Sequence, residues 1–172
     1  MDRIERRERP APLNAGPERA QLESWLEFHR ATLLVKCADL TLEQLCQRPV
    51  ASSALSLLGL VRHMTFVEQV WFQTIFAGRE VADYYKTPDD RDADFHDLDS
   101  ATLHEVVALY DATCATSREL AAGHDLDEMA AVARRHRHVD LRWIYVHMIE
   151  EYARHNGHAD LLRELIDGET GY

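Results

Sequence analysis

Glycine and proline are scarce in this 172-residue chain, seven and five respectively, and most of them lie outside the segments with a regular apolar pattern. No stretch alternates apolar and polar residues with a period of two, which argues against a sheet with one solvated face. No apolar run is long enough to span a bilayer, and no signal peptide is legible. Positive charge is also short: 19 Lys and Arg against 30 Asp and Glu leave a net charge of −11. Nucleic acids and anionic membranes both demand positive fields, so neither is expected as a partner. Cysteine is limited to Cys37, Cys46 and Cys114, a scattered set without a CxxC pair. Such a set reads as free, mostly buried thiols in a reducing cytoplasm. Internal repeats and low-complexity tracts are absent.

What is present is helical periodicity, in a chain long enough to bury one proper core. Residues 1–16, charged and proline-containing without an apolar core, are expected to form a flexible or loosely docked leader ahead of a domain spanning 17–172. Leu22, Trp25, Leu26, Leu33 and Leu40 recur at three- and four-residue steps and predict a helix over Pro17–Leu40. The link TLEQLCQRPVA is expected to contain a turn of its own. The serines of VASSAL are good N-caps for a second helix running to about Ala77. An acidic, irregular segment at 78–100 reads as a long loop, followed by a third helix over about Ala101–Ala122. A second long connection, with room for a helical turn, leads to a last helix over about Asp140–Ile166, stopped by Gly168. The expected fold is all-α: a four-helix bundle with long connections between helices 2–3 and 3–4.

The last helix contains EEYARHNGHAD, residues 150–160. At about 100° per residue, with Glu151 as origin, His155 falls near 40°, His147 near −40° and His158 near −20°. Ile144, Met148, Leu162 and Ile166 lie within about 60° of the same origin. The polar stripe is therefore inside the apolar stripe, and a core-facing carboxylate needs a cation or donors to hold it. On the second helix, His63 has Ser56, Gly59, Leu60, Phe66, Val67 and Val70 on its face, all apolar or small, so it too should project inward. A histidine in that setting alone reads as a hydrogen-bonded core residue; facing Glu151 and His155 it becomes the third member of a set.

Residues at i and i+4 sit one turn apart and can reach one ion. Glu151 and His155 with His63 give a donor set of two nitrogens and one oxygen with coordination positions left open, the pattern of catalytic zinc; nickel and iron accept the same donors. Glu151 and His158 are about 10 Å apart along the helix, too far to share an ion. The pairs 147 with 151, 151 with 155, and 155 with 158 all remain possible. The middle pair is preferred for its position in the helix. Neither HExxH nor the paired ExxH motifs of di-metal bundles occur.

The segments SLLGLVRHMTFVEQVWF (56–72), LRWIYVHMIEEYARHNGHADLLRELIDGETG (141–171) and HRATLLVKCADLTLEQL (29–45) resemble the DinB superfamily of metal-binding four-helix bundles. The resemblance covers about 30–171 and is closest to an actinobacteria-rich branch. It implies a divalent metal, zinc first, held by His63 and His155, with Glu151 where the superfamily commonly has a histidine. A glutamate at that place is similar to mycothiol-dependent maleylpyruvate isomerase. The implied activity is S-transfer or isomerisation with a low-molecular-weight thiol co-substrate of the mycothiol type and a small-molecule substrate. A homodimer is implied as well. The alternatives are a non-catalytic, stress-associated metal-binding bundle and a metal-dependent hydrolase.

Around the expected mouth, Arg30, Arg142, Arg154 and His158 are candidates for carboxylate recognition or proton handling; for each arginine the alternative is an ordinary surface salt bridge. His29, near Trp25, Leu26 and Leu33, would line the pocket or make a core hydrogen bond. The basic run RRHRH at 134–138 reads as a solvated loop.

Overall fold

In the computed structural model, which describes residues 3–87, 89–96, 98 and 102–171, all regular structure is helical. Helix α1 spans Glu18–Cys37, with Glu18 in its first turn and Lys36 in its last, the charge order that the helix dipole favours. It ends sooner than Leu40 because the chain turns at Asp39, which takes a left-handed φ of 66°. The expected turn in the link is a short helix, α2, Leu42–Cys46, opened by a capping box between Thr41 and Gln44.

Helix α3 begins at Leu57 and is capped by Ser56, whose hydroxyl accepts from the Gly59 amide at 3.2 Å. The serines of VASSAL precede this cap; Ser53 instead accepts from the Leu55 amide in the approach to the helix. After Glu68 the helix widens into a π-helix, Gln69–Phe76, which the apolar spacing did not announce. Helix α4 spans Leu103–Ala121; its expected start at Ala101 lies outside the described residues. Helix α5, Leu141–Asp167, is capped by Asp140, which accepts from the Trp143 amide at 2.7 Å. It stops at Gly168, where φ is 81°.

Helices α1, α3, α4 and α5 make a four-helix bundle, with α1 lying along α5 and α3 against both α4 and α5. Leu26 and Leu33 of α1, Leu60 and Met64 of α3, Tyr110 of α4, and Ile144 and Met148 of α5 meet in its buried centre. Each such apolar side chain contributes about 1.5–3 kcal/mol relative to an exposed one. The two long connections lie where the sequence puts them, between α3 and α4 and between α4 and α5.

Of the two forms expected for the N-terminal segment, flexible or loosely docked, the structure has it docked. Ile4 is 2% exposed and belongs to the core, and its carbonyl accepts from the Asp39 amide at 2.9 Å. Arg6 pairs with Asp39 and Glu169, and Arg7 grips Asp111 with two bonds of 2.7 and 2.8 Å. One buried isoleucine and two paired arginines hold this otherwise polar segment in place.

A polar network crosses the bundle centre. Arg30 of α1 donates Nε and Nη2 to the two carboxylate oxygens of Glu68, both at 2.7 Å, and Glu68 is fully buried. The Tyr152 hydroxyl donates to Glu68 at 2.9 Å, and Tyr110 stands 3.0 Å from Tyr152. Tyr152 follows Glu151 directly, so this bond ties α5 to α3 and fixes the height at which Glu151 faces His63.

Candidate metal centre

His63, Glu151 and His155 each present a potential ligand atom, and these atoms lie within 4.8 Å of one another. His63 comes from α3, the other two from adjacent turns of α5. The His63 and His155 rings meet edge to face with centroids 4.8 Å apart, and His155 Nε2 lies 3.5 Å from Glu151 Oε2. His155 first, then His147 and His63, hold the Glu151 carboxyl below its ordinary range against the opposing effect of burial. An ionised carboxylate beside two imidazoles is the donor set a divalent cation takes.

The third partner of His63 comes from a place the sequence did not single out. Its Nδ1 is 2.7 Å from Asp94 Oδ2, leaving Nε2 as the free nitrogen of the ring. Asp94 sits in a 3-10 turn, Ala93–Phe95, inside the acidic connection, and its side chain is fully buried. Burial pushes its carboxyl up, but the hydrogen bond with His63 and the charge of Lys86, 3.5 Å away, outweigh that and leave it lowered. Among the described residues, Asp94 Oδ1 has no hydrogen-bond partner. A buried carboxylate spent on orienting one imidazole is the arrangement found behind metal-bound histidines.

Gly59 explains how the turn comes so close. A Cβ there would stand 2.5 Å from Phe95 Cδ1 and 2.9 Å from Ser56 Oγ. Without it, Phe95 lies on α3 and stacks on His63 at a centroid distance of 5.5 Å. The acidic run 89–99 gave no periodic signal that could have marked Asp94; the single hint was a glycine one helical turn before His63.

The remaining sequence candidates fall around this trio. His147 forms the next rung: its Nε2 is 3.4 Å from Glu151 Oε1, and with Glu150 and Glu151 it makes a second cluster of potential ligands. It stacks on Trp143 at 4.9 Å, and burial lowers its pKa, with Glu151 opposing. His158 Nδ1 lies 3.4 Å from His155 Nδ1, behind the trio, and burial lowers its pKa too. His29 is not in the trio; it packs on Trp25, and its carbonyl accepts from Asn156 at 3.1 Å.

The three arginines are engaged elsewhere: Arg30 in the core with Glu68 and Glu27, Arg142 on the surface with Glu18 and Asp127, and Arg154 with Glu150. None of them lines the cavity beside the trio.

That cavity measures about 590 Å3 and opens from His63, His147 and Glu151 onto an apolar wall of Val67, Trp71 and Trp143. Its far side is built by RRHRH, the run that the sequence assigned to solvent: Arg134, Arg135 and Arg137 all line it. The π-helix positions this segment. The Ile75 and Phe76 carbonyls at its end accept from the Val132 and Ala131 amides, both at 3.0 Å, and so hang the second connection beside Trp71.

Cys37 and Cys114 are buried and their thiols are pushed up to about 12, burial being the main cause in each. None of the three cysteines lines the cavity.

A family model described as Mycothiol-S-transferase matches residues 21–168. No curated protein matches the chain.

Proposed function

Because the chain belongs to the mycothiol S-transferase family, a DinB-superfamily family, we propose that His63, Glu151 and His155 form a divalent-metal centre at which a low-molecular-weight thiol is transferred to an electrophilic small molecule. The observation that carries this reading is the convergence of the three ligand atoms within 4.8 Å, with His63 and Glu151 of the trio lining an aromatic-walled cavity. The buried Asp94 supports it, since one of its carboxylate oxygens lies 2.7 Å from Nδ1 of His63 and leaves Nε2 for an ion. Zinc fits the donor set of two imidazoles and a carboxylate best; nickel and iron take the same donors.

A divalent ion held there supplies the positive charge that makes a thiol ionise near neutral pH. The chain's own residues do the rest. Asp94 fixes the tautomer of His63, and Tyr152 and Glu68 hold α5 at the height where His155 and Glu151 face it. Trp71, Trp143 and Val67 keep water from one side of the reacting groups. The thiol sulfur forms a bond to the electrophilic carbon, the leaving group takes the bonding pair, and the thiol proton passes to solvent. The protein's buried thiols, pushed up to about 12, are unfit as nucleophiles, which is consistent with the sulfur arriving on a co-substrate. A homodimer belongs to the same reading: Leu161 and Leu165, 62% and 59% exposed, give α5 an apolar outer face that a second copy would cover.

The test is thiol conjugation by the metal-loaded protein, with mycothiol and an alkyl halide, before and after chelation. Turnover that disappears with the chelator and returns with zinc supports the proposal. Equal rates with and without metal, or metal-dependent activity that survives His155→Ala, would contradict it.

A further inference from the structure

The cationic side of the cavity has no counterpart among its apolar and metal-facing walls. Arg134, Arg135 and Arg137 line it together, and among the described residues none of the three is in an ion pair; the carboxylate that acts on Arg134 is Glu151. Arg30, Arg118, Arg142, Arg154 and Arg163, by contrast, each hold carboxylates away from the cavity. Lys86, on the same cavity, is already next to Asp94. The acid that faces them, Glu151, stands between His147 and His155. Arg134 lies over the Trp71 ring at 4.7 Å, so its guanidinium is fixed by the cavity wall.

The backbone under these arginines is strained. Arg134 and Arg137 exchange two amide-to-carbonyl bonds of 3.0 Å, closing a two-residue turn. Its central residues, Arg135 and His136, have φ of 48° and 64°, the type I′ geometry that Asn-Gly adopts readily and larger residues resist. Side chains that destabilise their own turn, and gather unpaired positive charge on one cavity, are what a site for an anion requires.

We propose that the Arg134–Arg137 turn is a subsite for a carboxylate carried by the electrophilic co-substrate, with Trp71 and Trp143 receiving the apolar part between that carboxylate and the metal centre. This rests on the proposed function for its location, but binding can be read without turnover.

The experiment uses the full, metal-loaded chain and two unreactive probes, 4-methylbenzoate and its methyl ester, titrated by calorimetry. The acid is expected to bind about tenfold or more tightly than the ester, as charge-assisted bonds to arginine imply, and to weaken as salt is raised. The variant Arg134→Gln/Arg135→Asn/His136→Gly/Arg137→Gln removes all three guanidinium groups and gives the turn residues it favours, so it should stay folded while losing most of the preference for the acid. Equal affinity for acid and ester overturns the proposal. So does a preference for the acid that survives in the folded variant, because the anion would then sit on the metal itself.

A parallel assay with mycothiol and methyl 4-(bromomethyl)benzoate, in which sulfur displaces bromide and the thiol proton goes to solvent, reports on the transferase reading alone. Turnover of this ester without any advantage for the corresponding acid would leave that reading intact and remove the subsite.

Discussion

His63 Nδ1 lies 2.7 Å from a carboxylate oxygen of Asp94, and the Asp94 side chain is fully buried. The two residues are 31 positions apart, one on α3 and one in the connection that follows it. If His63 is a metal ligand, Asp94 is the group that keeps its proton on Nδ1 and its Nε2 toward the ion.

Replacing Asp94 by Asn keeps the size and removes the charge. Metal affinity, measured by competition with a chromogenic chelator, is expected to fall about 10- to 100-fold while the helical circular dichroism stays that of the wild type. Unchanged affinity would mean that Asp94 serves only to fasten its loop.

The pairing of Arg30 with Glu68 predicts an asymmetry between single and double replacements. Glu68→Gln leaves the buried Arg30 guanidinium with Glu27 alone as its carboxylate, and urea unfolding should show a loss of about 3 kcal/mol. The pair Arg30→Met with Glu68→Leu removes both charges and should recover most of that loss. A double variant as unstable as the single one would show that Tyr152 and Tyr110 depend on the carboxylate for their own placement.

Glu27 gives the acid limb of stability a definite sign. Burial pushes its carboxyl up, but Arg118 and Arg30 outweigh that and hold it below its ordinary value of 4.5. The folded form therefore binds the Glu27 proton less readily than the unfolded chain. Its contribution is complete above the unfolded value and is lost as pH falls through the lower folded one. Glu27→Gln should be less stable than wild type in urea at pH 6, with the difference closing as the pH falls below 4. A difference that stays constant with pH would remove the ion pairs as its cause.

The pattern of cysteine reactivity follows from burial. With thiols pushed up to about 12, Cys37 and Cys114 are ionised in about one molecule in ten thousand at pH 8. Iodoacetamide followed by peptide mass spectrometry should label them only after unfolding. Rapid labelling of Cys114 in the native protein would contradict the packing around Tyr152.

The helices and the trio were legible in the sequence because α5 is a long, regular helix on which an angular count holds. Ile144, Met148 and Leu162 are buried as the count requires, and His155 and Glu151 lie beside them, 12% and 20% exposed at their side chains. The rung choice was less legible: 147 with 151 and 151 with 155 are both close pairs, and only the position of His63 across the bundle separates them.

Asp94 and the cavity arginines were missed for a common reason. Both sit in connections whose course is set by tertiary contacts, the first by the close approach over Gly59 and the second by the carbonyls of Ile75 and Phe76. The arginines chosen from the sequence were those nearest in register to the helices, and in a protein rich in acids these are the ones whose charge is already matched by neighbouring carboxylates. Ile4 shows the same limit, since one buried side chain docks a segment whose composition is polar.

The central claim is that His63, Glu151 and His155 hold one divalent ion. Crystals of the metal-loaded protein, measured on both sides of the zinc absorption edge, test it most directly. The account predicts a single anomalous peak per chain, bonded to His63 Nε2, Glu151 and His155. A peak between His147 and Glu150, or none in protein loaded with zinc, would contradict it.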